Sequence, residues 1–214
     1  MDSKGFKDAM LNYGNERAAI VTKAKNFLDE KFDFKDKTNE AIMTAVVAAE
    51  YPNYRIFGDI GCYTLGALPP FKALASCVDM GASITMAKGA ADAGVFPSIA
   101  IIGDSTFTHS GMTGLLDAIN ENANITVVIS DNLTTAMTGG QDSAGTNKFE
   151  QICIGLGVAP EHVRVVVPLP KNMDEIIKVI REEINYKGVS VIIPRRECVQ
   201  TLGRKLRRIQ AEKK

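Results

Sequence analysis

Short apolar runs rich in β-branched residues alternate along the chain with longer stretches whose apolar positions return every three or four residues. The runs Tyr54–Phe57, Ser98–Ile102, Ile125–Ser130, Val163–Val167 and Val189–Ile193 are expected to be strands. The intervening periodic stretches, at about 81–93, 111–121, 148–156 and 173–186, are expected to be helices. Two further amphipathic helices fit about Asn15 to Phe32 and Asn39 to Glu50. Strands that are apolar throughout, rather than on alternate residues, have both faces covered, and their alternation with helices predicts a doubly wound α/β fold on a parallel sheet. The expected organisation is a helical segment over 1–52 packing on a main domain over 53–199, then a basic helix or tail over 200–214.

Composition narrows the class without changing that picture. A chain of 214 residues, 45% of them hydrophobic, suits one domain with a sizeable core. No apolar run approaches the roughly 18 residues that span a bilayer, and the first eight residues are polar and charged, so a cytoplasmic protein without membrane attachment is expected. The formal net charge is zero, which argues against a nucleic-acid partner. Charge is nevertheless uneven. From Pro194 onward eight basic residues face only Glu197 and Glu212, so the tail is net positive and the rest net negative. A solvated final helix explains this, with docking to an anionic ligand as the alternative. Arg195 and Arg196 are read the same way, as solvated charges or as partners of an anion. Cys62, Cys77, Cys153 and Cys198 are too widely spaced for a zinc or iron–sulfur motif, and are expected to be reduced thiols.

The chemistry should lie beyond the carboxyl ends of the strands, where loops meet the amino ends of helices. Three loops follow apolar runs directly: Gly58 to Tyr63, Gly103 to Thr106 and Ser130 to Thr134. Magnesium takes oxygen ligands in near-octahedral geometry, usually one or two side chains plus phosphate and water. Asp104 and Asn132 stand 28 residues apart, room for one helix and one strand, which places them on neighbouring loops. A backbone carbonyl near Thr134 can add a third oxygen, and Gly103 lets a diphosphate approach the backbone. Asp104 alone could equally be a helix cap.

The run Gly103-Asp104-Ser105, followed after a helix and a strand by Asp131-Asn132, resembles the thiamine diphosphate motif. More narrowly, Gly58 to Gly66, Met80 to Ile84, Gly103 to Gly111 and Asn132 to Gln141 resemble the C-terminal thiamine-binding domain of the alpha subunit of indolepyruvate ferredoxin oxidoreductase. The likeness covers about 53–199. It implies thiamine diphosphate and Mg2+ as cofactors, and oxidative decarboxylation of an aryl 2-oxoacid with coenzyme A, electrons leaving through an iron–sulfur subunit or ferredoxin. It implies that Asp104, Asn132 and the Thr134 carbonyl hold the metal. Asp59, Gly61, Cys62, Gly81, Ala82, Ser83, Gly103, Ser105, Thr106, Ala136 and Met137 would surround the cofactor, and His109 would handle protons near it. The family's alpha subunit also carries a pyrimidine-binding domain with an essential Glu and a Cys-rich tail. These 214 residues show neither pattern, so a partner subunit or domain supplying the Glu is expected, within a homo- or hetero-oligomer.

Two other functions fit parts of the pattern: the diphosphate-binding subunit of a non-redox 2-oxoacid decarboxylase, and a thiamine-binding module without catalysis. His109 could instead be a surface residue, Cys62 a structural thiol, and His162 is read as an ordinary loop histidine. Cys77 and Cys153 are expected in helical core patterns.

Overall fold

A computed structural model describes residue 51 and residues 54–67, 72–135, 140–198, 201–204 and 207. The two helices expected before residue 51, and the loop positions Ala136 and Met137, lie outside the described residues.

Among the described residues six parallel strands form one sheet: β1 (Arg55–Gly58), β2 (Leu74–Cys77), β3 (Ser98–Gly103), β4 (Ile125–Ser130), β5 (Val163–Val166) and β6 (Val189–Pro194). Their order is β2-β1-β3-β4-β6-β5. The central strands β4 and β6 are buried at every position, which is why their sequences are apolar without alternation. Successive residues serve opposite faces. Ala100, Ile102, Val127, Ile129, Val191 and Ile193 meet helices α1 (Ala82–Asp92), α2 (Met112–Asn120) and α3 (Phe149–Leu156). Ile99, Ile101, Val128 and Ile192 face α4 (Met173–Asn185) and the tyrosines Tyr54 and Tyr63. The doubly wound α/β expectation is met. Among the described residues no helix is long and apolar enough to cross a membrane.

The helix α4 shows how the periodicity works, since Ile176, Val179, Ile180, Glu183 and Ile184 form its buried stripe. Glu183 is the polar member of that stripe and is 1% exposed. It is held by His162 Nδ1 at 2.9 Å and Arg164 Nη1 at 3.0 Å, with the His162 ring stacked on Tyr186. His162 is thus part of a paired polar cluster, more than the ordinary loop residue expected.

Two elements differ from expectation. Residues 74–77 form the edge strand β2, which places Cys77 on a strand rather than in a helix. Its pattern is only partly buried, so it reads as neither continuous nor alternating. Between β3 and α2 the chain makes one helical turn, Asp104–Thr106, and then a π-helical segment, Phe107–Gly111. Cys153 is fully buried in the core, as expected.

This topology fixes where a ligand can sit. From β1 the chain leaves for β2 on one side, whereas from β3 it leaves for β4 on the other, yet β1 and β3 are neighbours. Loops diverging from adjacent strand ends leave a crevice between them.

Candidate functional site at the strand ends

The register brings the expected residues together. Gly103 of β3 pairs with Ser130 of β4, so the chains continue side by side into Asp104 and Asp131. Asp104 is 4% exposed. Its Oδ1 accepts a hydrogen bond from the Ser105 amide at 2.6 Å, whereas Oδ2 is buried without a hydrogen-bond partner. Burial lifts the Asp104 carboxyl to a pKa of about 6; the charge on Asp131 adds to the rise, against the pull of the Ser105, Thr134 and Asn132 backbone N–H groups. A buried carboxylate oxygen left without a donor is stabilised by a cation.

Across from it, the 131–134 loop is wound tightly on itself. Asn132 Oδ1 accepts from the Thr134 amide at 3.1 Å, which leaves one lone pair of that oxygen for another partner. Leu133 takes a left-handed conformation, φ 60°, rare for a residue with a Cβ. Thr134 is buried, and its hydroxyl donates to the Gln141 carbonyl at 3.0 Å. The three residues expected to hold a metal therefore lie on two adjoining loops. No group of three or more His, Cys, Asp or Glu able to hold a metal occurs among the described residues, so a cation here would draw on amide and carbonyl oxygens as well as Asp104.

The other side of the crevice is built on Asp59, which is fully buried. Its Oδ1 accepts from the Ser83 amide and its Oδ2 from the Ser83 hydroxyl, both at 2.8 Å, so the side chain caps α1 from a distant strand. Burial raises its pKa despite these bonds. Gly81 precedes α1 with φ 97°, and a Cβ there would collide with the Ser110 side chain. Ala82 begins the helix, so Asp59, Gly81, Ala82 and Ser83 form one unit. Asp59→Ala should lower stability by about 1–3 kcal/mol through loss of this cap, measured as a fall in the urea midpoint at unchanged slope. An unshifted midpoint would show that α1 starts without it.

Tyr63 fills the space between the two sides. Its hydroxyl donates to the Ile60 carbonyl at 3.1 Å, and its ring lies where Cβ atoms on Gly61 or Gly103 would be, 3.0 Å from the latter position. A Cβ at Gly103 would thus crowd the tyrosine ring. Thr106 is buried beside it, and the backbone of Cys62 opens a 3-10 helix, Cys62–Ala67. His109 is exposed on the π-helical segment, an element often found at functional sites.

Arg195 corrects the expectation of a solvated charge. Its Nε donates to Asp131 Oδ2 at 2.6 Å, while Nη1 and Nη2 grip Glu150 Oε1 and Oε2 at 2.8 and 2.7 Å. Only the side-by-side placement of β4 and β6 brings these groups together.

Comparison with known proteins accords with this geometry. Residues 59–193 match the family model described as thiamine pyrophosphate enzyme, C-terminal TPP-binding domain. The chain belongs to this family. It is 39% identical over 161 residues to indolepyruvate oxidoreductase subunit IorA of Archaeoglobus fulgidus, covering 70% of this chain and 25% of that protein. It is 35% identical over 178 residues to the IorA subunit of Pyrococcus horikoshii, covering 72% and 27%. The chain thus spans about a quarter of the length of these curated relatives. Among solved structures, 2-oxoglutarate:ferredoxin oxidoreductase from Magnetococcus marinus superposes with a TM-score of 0.59 at 16% identity, over 75% of this chain and 61% of that one. Benzoylformate decarboxylase from Polynucleobacter necessarius gives 0.52 at 15% identity, over 74% and 32%. These two likenesses show the shared fold of the TPP-binding domain.

Proposed function

We propose that this chain is the diphosphate- and magnesium-binding part of a thiamine-dependent 2-oxoacid:ferredoxin oxidoreductase of the indolepyruvate type. The observation that carries the reading is the partnerless, buried Asp104 Oδ2 facing the 131–134 loop at the crevice. The family match and the IorA relatives support it. Asp104 through Oδ2, Asn132 through the free lone pair of Oδ1 and Thr134 through its carbonyl would hold Mg2+. Gly103, Ser105 and Thr106 border the diphosphate. Asp59 acts indirectly, by fixing Gly81, Ala82 and Ser83 at the start of α1. Gly61 and Cys62 belong to a loop that flanks the cofactor, and the family resemblance extends a cofactor-binding role to Ala136 and Met137, which lie outside the described residues.

Thiamine diphosphate, when bound, supplies the electron sink that decarboxylation of a 2-oxoacid requires. The chain's own part is to orient the cofactor, exclude water and hold protons. His109, exposed five residues after Asp104, is the side chain assigned to proton handling beside the cofactor. A partner domain or subunit supplies the Glu that meets the aminopyrimidine ring, and an iron–sulfur subunit or ferredoxin takes the electrons when an aryl 2-oxoacid and coenzyme A react.

The test is a thiamine diphosphate titration with and without Mg2+, followed by turnover of indolepyruvate with coenzyme A and a ferredoxin-like dye. The isolated chain should bind only in the presence of metal and turn over little. Adding the co-purifying subunit should restore turnover. Full activity from a strictly monomeric sample, established by light scattering, would reject the divided site. Binding that ignores Mg2+ would reject the metal assignment.

A further inference from the structure

The metal loop is gripped from behind by groups that would not touch the metal. Asp131 is fully buried, and its two oxygens are used differently. Oδ1 accepts from the Leu133 amide at 3.2 Å, inside the loop, while Oδ2 receives the Arg195 Nε at 2.6 Å. The remaining nitrogens of Arg195 are fixed by the bidentate pair with Glu150 in the first turn of α3. The backbone repeats the grip. The Arg196 amide donates to the Asp131 carbonyl at 3.0 Å, the Cys198 amide to the Asn132 carbonyl at 3.1 Å, and the Arg195 amide to Val166 of β5 at 2.8 Å.

From this arrangement we propose that Arg195 is a positioning residue for the metal loop: through Asp131 it holds Leu133 in its left-handed turn and so aims the Asn132 side chain and Thr134 at the cation site. A left-handed Leu is strained and persists only when the surroundings fix it, and the hydrogen bond from its own amide to Asp131 is the side-chain contact that acts on this residue directly. Asp131 can hold that position only while its other oxygen is held, and a guanidinium fork spanning two carboxylates does so with more angular definition than an ammonium. The cation-holding role assigned to Asn132 and Thr134 rests on the function proposed above.

The experiment compares the full chain with Arg195→Gln, Arg195→Lys and Glu150→Gln, in the presence of any co-purifying subunit. Two quantities are read: the Mg2+ half-saturation at saturating thiamine diphosphate, by calorimetry, and the hydrogen-exchange rate of the Leu133 amide without cofactor, by NMR. Outer partners of metal ligands typically change metal affinity by about 10–100-fold, so R195Q should raise the Mg2+ half-saturation about tenfold or more. R195K should recover part of this and E150Q should show a smaller effect in the same direction. Exchange at Leu133 should quicken in the same order, while thiamine diphosphate affinity at saturating Mg2+ stays within about twofold, a split that general destabilisation would not produce. If R195Q does not fold, the ordering of R195K and E150Q against wild type decides the matter. Wild-type Mg2+ affinity and wild-type Leu133 exchange in the folded variants would overturn the role of Arg195 alone. A wild-type chain that takes up no Mg2+ with thiamine diphosphate would overturn the functional reading and this inference with it.

Discussion

Asp104→Asn should abolish Mg2+-dependent thiamine diphosphate binding and at the same time make the cofactor-free protein more stable at pH 7. The two effects share one cause. Folding buries the Asp104 carboxyl with one oxygen unpartnered and raises its pKa from 3.8 to about 6. A carboxyl whose folded pKa is raised contributes stability that is complete below its unfolded pKa and is lost as pH rises through the folded value. Between pH 4 and 6 the wild-type protein therefore pays for ionising this group, by about 1–3 kcal/mol at neutral pH. The neutral amide avoids that penalty, so the melting temperature of the variant should exceed wild type by a few degrees at pH 7 and converge with it near pH 4. A bound cation reverses the logic, because it favours the ionised carboxylate. Wild-type Mg2+ affinity should accordingly weaken about tenfold per pH unit below about 6, with proton release on binding. Calorimetry across pH 5 to 8 reads both quantities. A variant that binds as tightly as wild type, or one that is destabilised at pH 7, would remove Asp104 from the centre of the site.

Phe107→Ala should produce the largest loss of stability, about 3–5 kcal/mol. Phe107 is 0% exposed and meets Phe149 edge-to-face with ring centroids 6.0 Å apart. It is packed among Ile102, Ile84 and Leu115, where β3, α1 and α2 converge. It also opens the π-helical segment three residues after Asp104, so the cavity would form directly beneath the loop that carries the carboxylate and His109. Urea unfolding measures the first effect. A loss below about 1 kcal/mol would mean that the surrounding side chains close the space, and that the π-helical segment is set by other contacts.

Much of this was legible along the chain, for local physical reasons. Helix stripes and continuous apolar strands follow from burial on one face or two, so α1 to α4 and five of the six strands fall within one or two residues of expectation. The Asp104 and Asn132 pair was legible because a strand, a helix and a strand return the chain to the next loop on the same edge of a parallel sheet. The edge strand β2 was not, because half-exposed small residues carry no period. Nor was the π-helical segment, whose residues would fit an ordinary helical turn.

The grip on the 131–134 loop lay furthest from view. Arg195 is 64 residues from Asp131 and 45 from Glu150, and its charge reads as solvated in any local window. What makes it a clamp is that β6 inserts between β4 and β5, carrying the residue after Pro194 to the residue after Ser130. Local sequence sets which segments become strands and which residues end them; the order in which strands pair is set by how the faces of the whole sheet are covered, and only that order decides which strand ends become neighbours.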